Sequence, residues 1–238
     1  MTTTMRLDKF LSKATELSRK DAKKILHAEQ VTVNGQIVKD GSIHIHPSDD
    51  DIEWAGESLS VATGKRYLLL YKPDGFECTL KPKDYPIVSE LIALPEVASL
   101  RIAGRLDVDT TGALILSDDG AFLHRVTSPK HHKPKVYHLT LADPVAQETQ
   151  QTMIEQIAKG ILLEGDSEKT RSAHLTFKDD SHAILTLTEG KYHQVKRMMG
   201  YFGNKVIALH RESIGDITLD GLAMGESRFL SAEEIAGF

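Results

Sequence analysis

Leu7, Phe10, Leu11, Ala14 and Leu17 recur at helical spacing, which predicts an amphipathic helix over about residues 6–17. Ser18 followed by Asp21 has the form of a capping box and predicts a second helix running to about His27. Ala22, Ile25 and Leu26 supply its buried stripe, and Arg19, Lys20, Lys23 and Lys24 crowd the opposite face. The period then changes. Val31 to Val38 is two short β-rich runs around Asn34-Gly35, a dipeptide that tolerates positive φ at both central positions, and it predicts a hairpin. Residues 41–64 turn acidic, with Gly and Ser interspersed, and end in Ala62-Thr63-Gly64. They predict a boundary between a small domain over 5–62 and a larger one over 63–238.

From Lys65 on, short β-like runs alternate with helical segments. The pattern predicts strands near 66–71, 113–116, 136–141, 183–187 and 205–209, and helices near 145–159 and 193–201. Their irregular order predicts an α+β domain with a mixed, mainly antiparallel sheet, not a doubly wound one. The longest apolar runs, such as Tyr67 to Tyr71, fall far short of the ~20 residues that span a bilayer. The opening residues are polar and helically patterned, unlike a signal peptide. Ordinary proportions, 40% hydrophobic and 26% charged, fit a chain with a buried core, and a single cysteine, Cys78, excludes an internal disulfide framework and a cysteine-built zinc site. A cytosolic globular protein is expected, with no membrane partner.

The net charge of -5 hides blocks of opposite sign. Residues 1–40 hold eight Lys/Arg against five Asp/Glu, a balance of +3. Residues 121–142 carry four Lys/Arg and four His without an acid, and 191–211 carry five Lys/Arg, again without an acid. Any one block reads equally well as a solvated face, but three on an acidic chain point to phosphate and so to nucleic acid.

No phosphate loop, HExxH or nucleophile elbow is present. His131-His132 point in different directions and lack a third ligand, so no metal is expected. In Gly104-Arg105-Leu106-Asp107-Val108-Asp109-Thr110-Thr111-Gly112, taken alone, Asp107 or Asp109 reads as a cap or Asx-turn residue.

Other segments change that reading. Arg6-Leu7-Asp8-Lys9-Phe10-Leu11, Ser18-Arg19 and Val31-Thr32-Val33-Asn34-Gly35 resemble the S4 RNA-binding domain. The plainer alternative is a helical hairpin kept soluble by its lysines. Behind it come Tyr67-Leu68-Leu69-Leu70-Tyr71-Lys72-Pro73-Asp74-Gly75, the Gly-Arg-Leu-Asp stretch, Lys135-Val136-Tyr137, and Glu189-Gly190-Lys191-Tyr192-His193-Gln194-Val195-Lys196-Arg197-Met198. In this order they resemble the RsuA class of ribosomal RNA pseudouridine synthases over essentially the whole chain. Tyr71 departs from the class, which usually has Asn before Lys-Pro. The His-Gln-Val-Lys-Arg-Met wording and the run Ser128-Pro129-Lys130-His131-His132 are nearest the members that act on the small subunit.

The resemblance implies a substrate, a single uridine of 16S rRNA, either free or in a small-subunit assembly intermediate; a monomer is the default expectation. Making pseudouridine breaks C1′–N1, turns the uracil and rejoins it through C5. Atoms and charge balance, so no cofactor is implied. Asp107 is implied as the carboxylate at the ribose, adding covalently or acting through a glycal. Lys196 is implied as its basic partner, with Arg197 the adjacent alternative that otherwise faces phosphate. Asp109 shares the site or, more in keeping with its type, caps the following turn. Tyr137 is implied as the ring packed on the uracil, and Arg105 as the cation that fills the gap left by the extruded base. Lys72 and the basic run containing Lys130 and Lys135 are expected to hold RNA backbone, as are Arg6, Lys9, Arg19, Lys20 and Lys23 from the small domain. Three rivals remain: the same chemistry on 23S rRNA, a non-catalytic RNA-binding assembly factor, and a metal-dependent RNA hydrolase that the missing ligand clusters disfavour.

Overall fold

The computed structural model describes residues 4–15, 17–60, 64–79, 84–94, 97–128 and 133–238. The chain divides into two units, Met1–Gly64 and Lys65–Phe238. The boundary expected between 62 and 63, and with it Lys130, His131 and His132, lies outside the described residues.

In the first unit, helices α1 (Leu7–Ala14) and α2 (Arg19–His27) accompany six short strands. Strands β1 (Met5–Arg6) and β4 (His44–Ile45) pair with each other. The other four, β2 (Val31–Val33), β3 (Gln36–Ile37), β5 (Ile52–Trp54) and β6 (Glu57–Leu59), form an antiparallel sheet in the order β3-β2-β5-β6. Leu7, Phe10, Leu11, Ala22 and Leu26 form the core with Val31, Ile45 and Ile52. The first helix is shorter than its apolar spacing predicts. Thr15 turns extended and bonds the Leu11 carbonyl with both its N–H (3.1 Å) and its hydroxyl (2.7 Å), so Leu17 falls outside the helix. Ser18 caps α2, accepting from the Asp21 N–H at 3.2 Å. The box is half-formed, because the Asp21 carboxylate takes the Ser18 hydroxyl (2.6 Å) and Lys24 (2.7 Å). Asn34 and Gly35, with φ 51° and 77°, make the expected hairpin turn.

The second unit is built on a nine-stranded sheet. Seven of its strands are β7 (Tyr67–Lys72), β9 (Thr110–Ser117), β10 (Lys135–Leu141), β11 (His174–Phe177), β12 (His182–Leu187), β13 (Val206–Ile214) and β15 (Ser227–Phe229). They lie side by side in the order β11-β12-β10-β13-β9-β7-β15. The remaining two are β8 (Arg101–Ala103), which joins along β9, and β14 (Ile217–Thr218), along β13. Among the described strand pairs only β13 with β9 is parallel, so the sheet is mixed and mainly antiparallel, as expected. Strand alternation splits the core in two. Leu68, Leu70, Leu114 and Leu116 join α4 (Gln147–Lys159) and α5 (Gln194–Tyr201) on one side. Leu69, Ala113 and Ile115 meet α3 (Gly120–Thr127) and Ile235 of α6 (Ala232–Ala236) on the other.

Two irregularities bring the central strands into position. Gly112 has φ 115°, and a Cβ there would lie 2.2 Å from the Arg211 carbonyl oxygen, so only glycine lets β9 approach β13 this closely. A bulge at Glu212 of β13 shifts the β10–β13 register between Val136 and Tyr137 and sets Tyr137 opposite Arg211. No described helix is long and apolar enough to cross a membrane.

Candidate active site

The turn from β8 to β9, the start of β10, the middle of β13 and the first turn of α5 converge on a cavity of about 860 Å3 in the second unit. Asp107 lies in the β8–β9 turn. Its Oδ1 is 3.1 Å from His193 Nε2, and its Oδ2 is 3.1 Å from Lys196 Nζ. His193 and Lys196 are three residues apart at the start of α5, so they share a helix face and reach one carboxylate. Asp109 does not cap the turn as its residue type suggests. Its Oδ1 takes the Lys196 ammonium at 2.6 Å and completes the ion cluster. Burial pulls the Lys196 ammonium down, but bonds to Asp109 and Asp107 outweigh it and hold the group above its ordinary value. Burial likewise pushes the Asp109 carboxyl up, and Lys196 more than reverses that.

Tyr137 is buried in the cavity wall, with its hydroxyl 3.4 Å from Arg211 Nη1. Arg105 stands exposed at the cavity, and no hydrogen bond or ion pair of its guanidinium is found among the described residues. Tyr192 is 76% exposed and stacks on the His193 ring at 3.7 Å between centroids. His193 takes a left-handed backbone (φ 46°), which turns its ring toward Asp107 instead of capping α5.

Three cations are not where charge alone puts them. Lys72 is fully buried, not on RNA backbone: its ammonium donates to the carbonyls of Pro73 (3.0 Å), Val108 (3.0 Å) and Thr110 (2.7 Å). It therefore pins the segment that carries Asp107 and Asp109. Lys135 is buried in the cavity wall rather than on the surface, and burial, with the charge of Arg211, pulls its ammonium down to about 8. Arg197 does not pair with Asp107. It donates to Asp166 Oδ1 and the Glu164 carbonyl, both at 2.6 Å, while Lys191 takes Asp166 Oδ2 at 2.8 Å. Asp166 thus ties the preceding loop to α5.

In the first unit Lys9, Arg19, Lys20 and Lys23 are exposed, and Arg6 forks onto Asp8 at 3.1 and 2.7 Å. Sequence reasoning missed His193 and Arg211. His193 was signalled by its spacing from Lys196. Arg211 was signalled by strand parity, since it shares the inward register of Leu209. Among the described residues no group of three His, Cys, Asp or Glu side chains is placed to hold a metal.

Comparison with known proteins gives a consistent answer. Residues 66–201 match the RNA pseudouridylate synthase family, and residues 5–51 match the S4 domain. Ribosomal small subunit pseudouridine synthase A of Pasteurella multocida is 49% identical over 98% of this chain and 99% of its own. The protein of the same name from Escherichia coli K12 is 44% identical over 98% of this chain and 99% of its own. A crystal structure of a pseudouridylate synthase, 45% identical, superposes with a TM-score of 0.67 over 98% of this chain and 99% of that one.

Proposed function

The chain belongs to the RNA pseudouridylate synthase family, and from that premise we propose that it converts a single uridine of small-subunit (16S) rRNA to pseudouridine with Asp107 as its catalytic carboxylate. The observation that carries this reading is the Asp107 carboxylate held between His193 and Lys196 beside the cavity that Tyr137 lines. A carboxylate at the ribose needs a balancing charge in a half-dry site, and Lys196 supplies it. It also needs a base out of the stack. The Tyr137 ring offers a packing face for the uracil, and the exposed Arg105 offers a cation for the gap the base leaves.

The target RNA, free or as an assembly intermediate, is held along its phosphates by the exposed Lys9, Arg19, Lys20 and Lys23 of the first unit. The names of the relatives support the small subunit as substrate.

The test uses small-subunit RNA carrying tritium at C5 of its uridines, since joining C5 to the sugar releases that tritium to water. Intact protein is expected to release one equivalent from one position, mapped by carbodiimide-blocked primer extension, and Asp107→Asn none. Release from 23S but not from 16S RNA would move the substrate to the large subunit. An active Asp107→Asn protein would sink the assignment of the carboxylate.

A further inference from the structure

Two cations are sunk in the cavity wall, and among the described residues neither forms an ion pair with a carboxylate. Lys135 is 8% exposed and Arg211 2%. Among the described residues the Lys135 ammonium has one hydrogen bond, to the Lys133 carbonyl at 3.4 Å, the long limit for such a bond. Arg211 gives its donors to neutral oxygens: the carbonyls of Ala113 and Gly104 at 2.8 Å and the Tyr137 hydroxyl at 3.4 Å. The Thr110 hydroxyl, in the same wall, is buried and bonds nothing among the described residues. Asp107 and Asp109 do not answer this charge, because His193 and Lys196 already take them.

A buried cation left unanswered costs the fold stability, so its retention asks for an anion that arrives later. The bulge in β13, where Glu212 is the extra residue, gives the direction. Lys135 and Tyr137 lie two apart on one strand face, and the shifted register sets Arg211 opposite Tyr137. The positive charge therefore sits beside the ring that packs the uracil.

We propose that Lys135, backed by Arg211, is a catalytic residue that holds the negative charge gathered on the uracil while it is detached from the ribose. This rests on the pseudouridine reading above. When C1′–N1 opens, the electron pair stays with the base and its charge spreads over O2 and O4. That holds whether Asp107 captures C1′ or removes the C2′ proton, and adding the carboxylate to C6 also places charge on O4. The pair returns when C5 bonds C1′; the Asp107 oxygen then leaves C1′ or C6, or C2′ regains its proton, the C5 proton leaves and N1 takes one up, so nothing is oxidised or reduced. A fixed cation that is itself buried acts most strongly on charge that develops during reaction.

A phosphate anchor is the competing role for the same cation, and leaving-group chemistry separates the two. Fluorine at C5 stabilises the base anion by itself and takes over part of the work assigned to Lys135. The full chain and its Lys135→Met and Lys135→Gln variants are compared in single turnover on small-subunit RNA containing uridine or 5-fluorouridine. Loss of the target nucleoside is followed by mass spectrometry and RNA affinity by filter binding. Each variant is expected to be slowed about a hundredfold on uridine, the scale of removing one preorganised donor, with RNA affinity nearly unchanged. On 5-fluorouridine the loss is expected to shrink to about tenfold or less. Partial misfolding lowers both rates and cancels in their ratio, and the two neutral variants serve as replicates. Equal losses on both RNAs, a loss explained by weaker binding, or no loss would overturn the proposal. A wild-type protein inert on both ribosomal RNAs would overturn the parent reading and this one with it, whereas an active wild type with equal losses overturns this one alone.

Discussion

On α2 of the first unit, Arg19, Lys20 and Lys23 stand exposed opposite buried Ala22 and Leu26, whereas Lys72, Lys135 and Arg211 of the second unit are buried. In the sequence the two sets look alike, as basic residues inside basic or aromatic runs. The periodicity that carries them makes the difference. On a helix the positions opposite an apolar stripe face water and keep their charge hydrated. In a strand alternation decides the side, and a lysine in the register of Leu68 and Leu70, or of Leu139 and Leu141, goes inside with them, while His138 on the other parity of β10 is exposed. The hydrated set is suited to holding a polyanion, and the buried set to positioning backbone or meeting charge formed during reaction.

Asp107→Asn breaks the comparison at its strongest point, because it removes the carboxylate but no cation that could hold phosphate. Turnover is expected to fall at least about a thousandfold, or ~4 kcal/mol of transition-state stabilisation, with RNA affinity unchanged. Tritium release and filter binding on the same preparation measure the two halves.

Lys72→Met tests what a buried, satisfied cation does. Three carbonyls, of Pro73, Val108 and Thr110, lose their donor together. The expected loss is roughly 3–5 kcal/mol, that of breaking a buried polar network, and it is read as a lower midpoint in urea unfolding. An unchanged midpoint would mean that the ammonium is not needed to hold the 108–110 segment.

Lys135→Met is expected to do the reverse, since Lys135 has no carboxylate to lose. Its ammonium falls from 10.5 to about 8, which corresponds to roughly 3 kcal/mol held against the charged form. A lowered folded-state value means that the unfolded chain binds the proton more tightly, so wild-type stability rises with pH between about 8 and 10.5. The Met variant is expected to be the more stable below pH 8, less the packing it fails to replace, and the gap should close as pH climbs toward 10.5. Arg211 on β13 is the charged group that bears on Lys135 among the described residues, and it stays charged throughout. Chemical denaturation at pH 7 and pH 10 measures the gap, and one that widens with pH would contradict the assignment of an unanswered cation.

These contrasts also explain what was legible in the chain. The two helices of the first unit, its Asn34-Gly35 hairpin, and β7, β10 and β12 could be read because their signals are local: a cap, a turn, an alternation. β8 and β15, three residues each, exist because β9 and β7 offer them an edge, and no local pattern announces that. α3 did announce itself, with Asp119 accepting from the Ala121 N–H and with Phe122 and Val126 one turn apart, but Gly120 at its start obscured the signal. In the site, Asp107 and Lys196 were singled out by the order of motifs, and the structure brings them to 3.1 Å. Asp109 was weighted toward a cap, and Lys72 and Arg197 toward RNA, by residue type, while long-range pairing decided their partners; Lys135 was placed on RNA by its charge run, while strand alternation buries it.

The smallest effects should come from the first unit, and there they should be additive. Arg19→Gln, Lys20→Gln and Lys23→Gln each remove an exposed charge with no packing to disturb, so the unfolding midpoint is expected to stay within the scatter of surface substitutions. Affinity for RNA is expected to fall a fewfold per residue. The steepness of its dependence on salt should drop by about 0.7 to 0.9 for every phosphate no longer neutralised, because each neutralised phosphate releases a condensed counterion whatever the base beside it. At saturating RNA the rate of tritium release should not move, since none of the three residues lines the cavity. Filter binding across a salt series, run beside single-turnover release, separates the outcomes. A changed rate at saturation would show that these cations do more than hold the polyanion, and the division between a hydrated set that binds and a buried set that reacts would then fail at its simplest point.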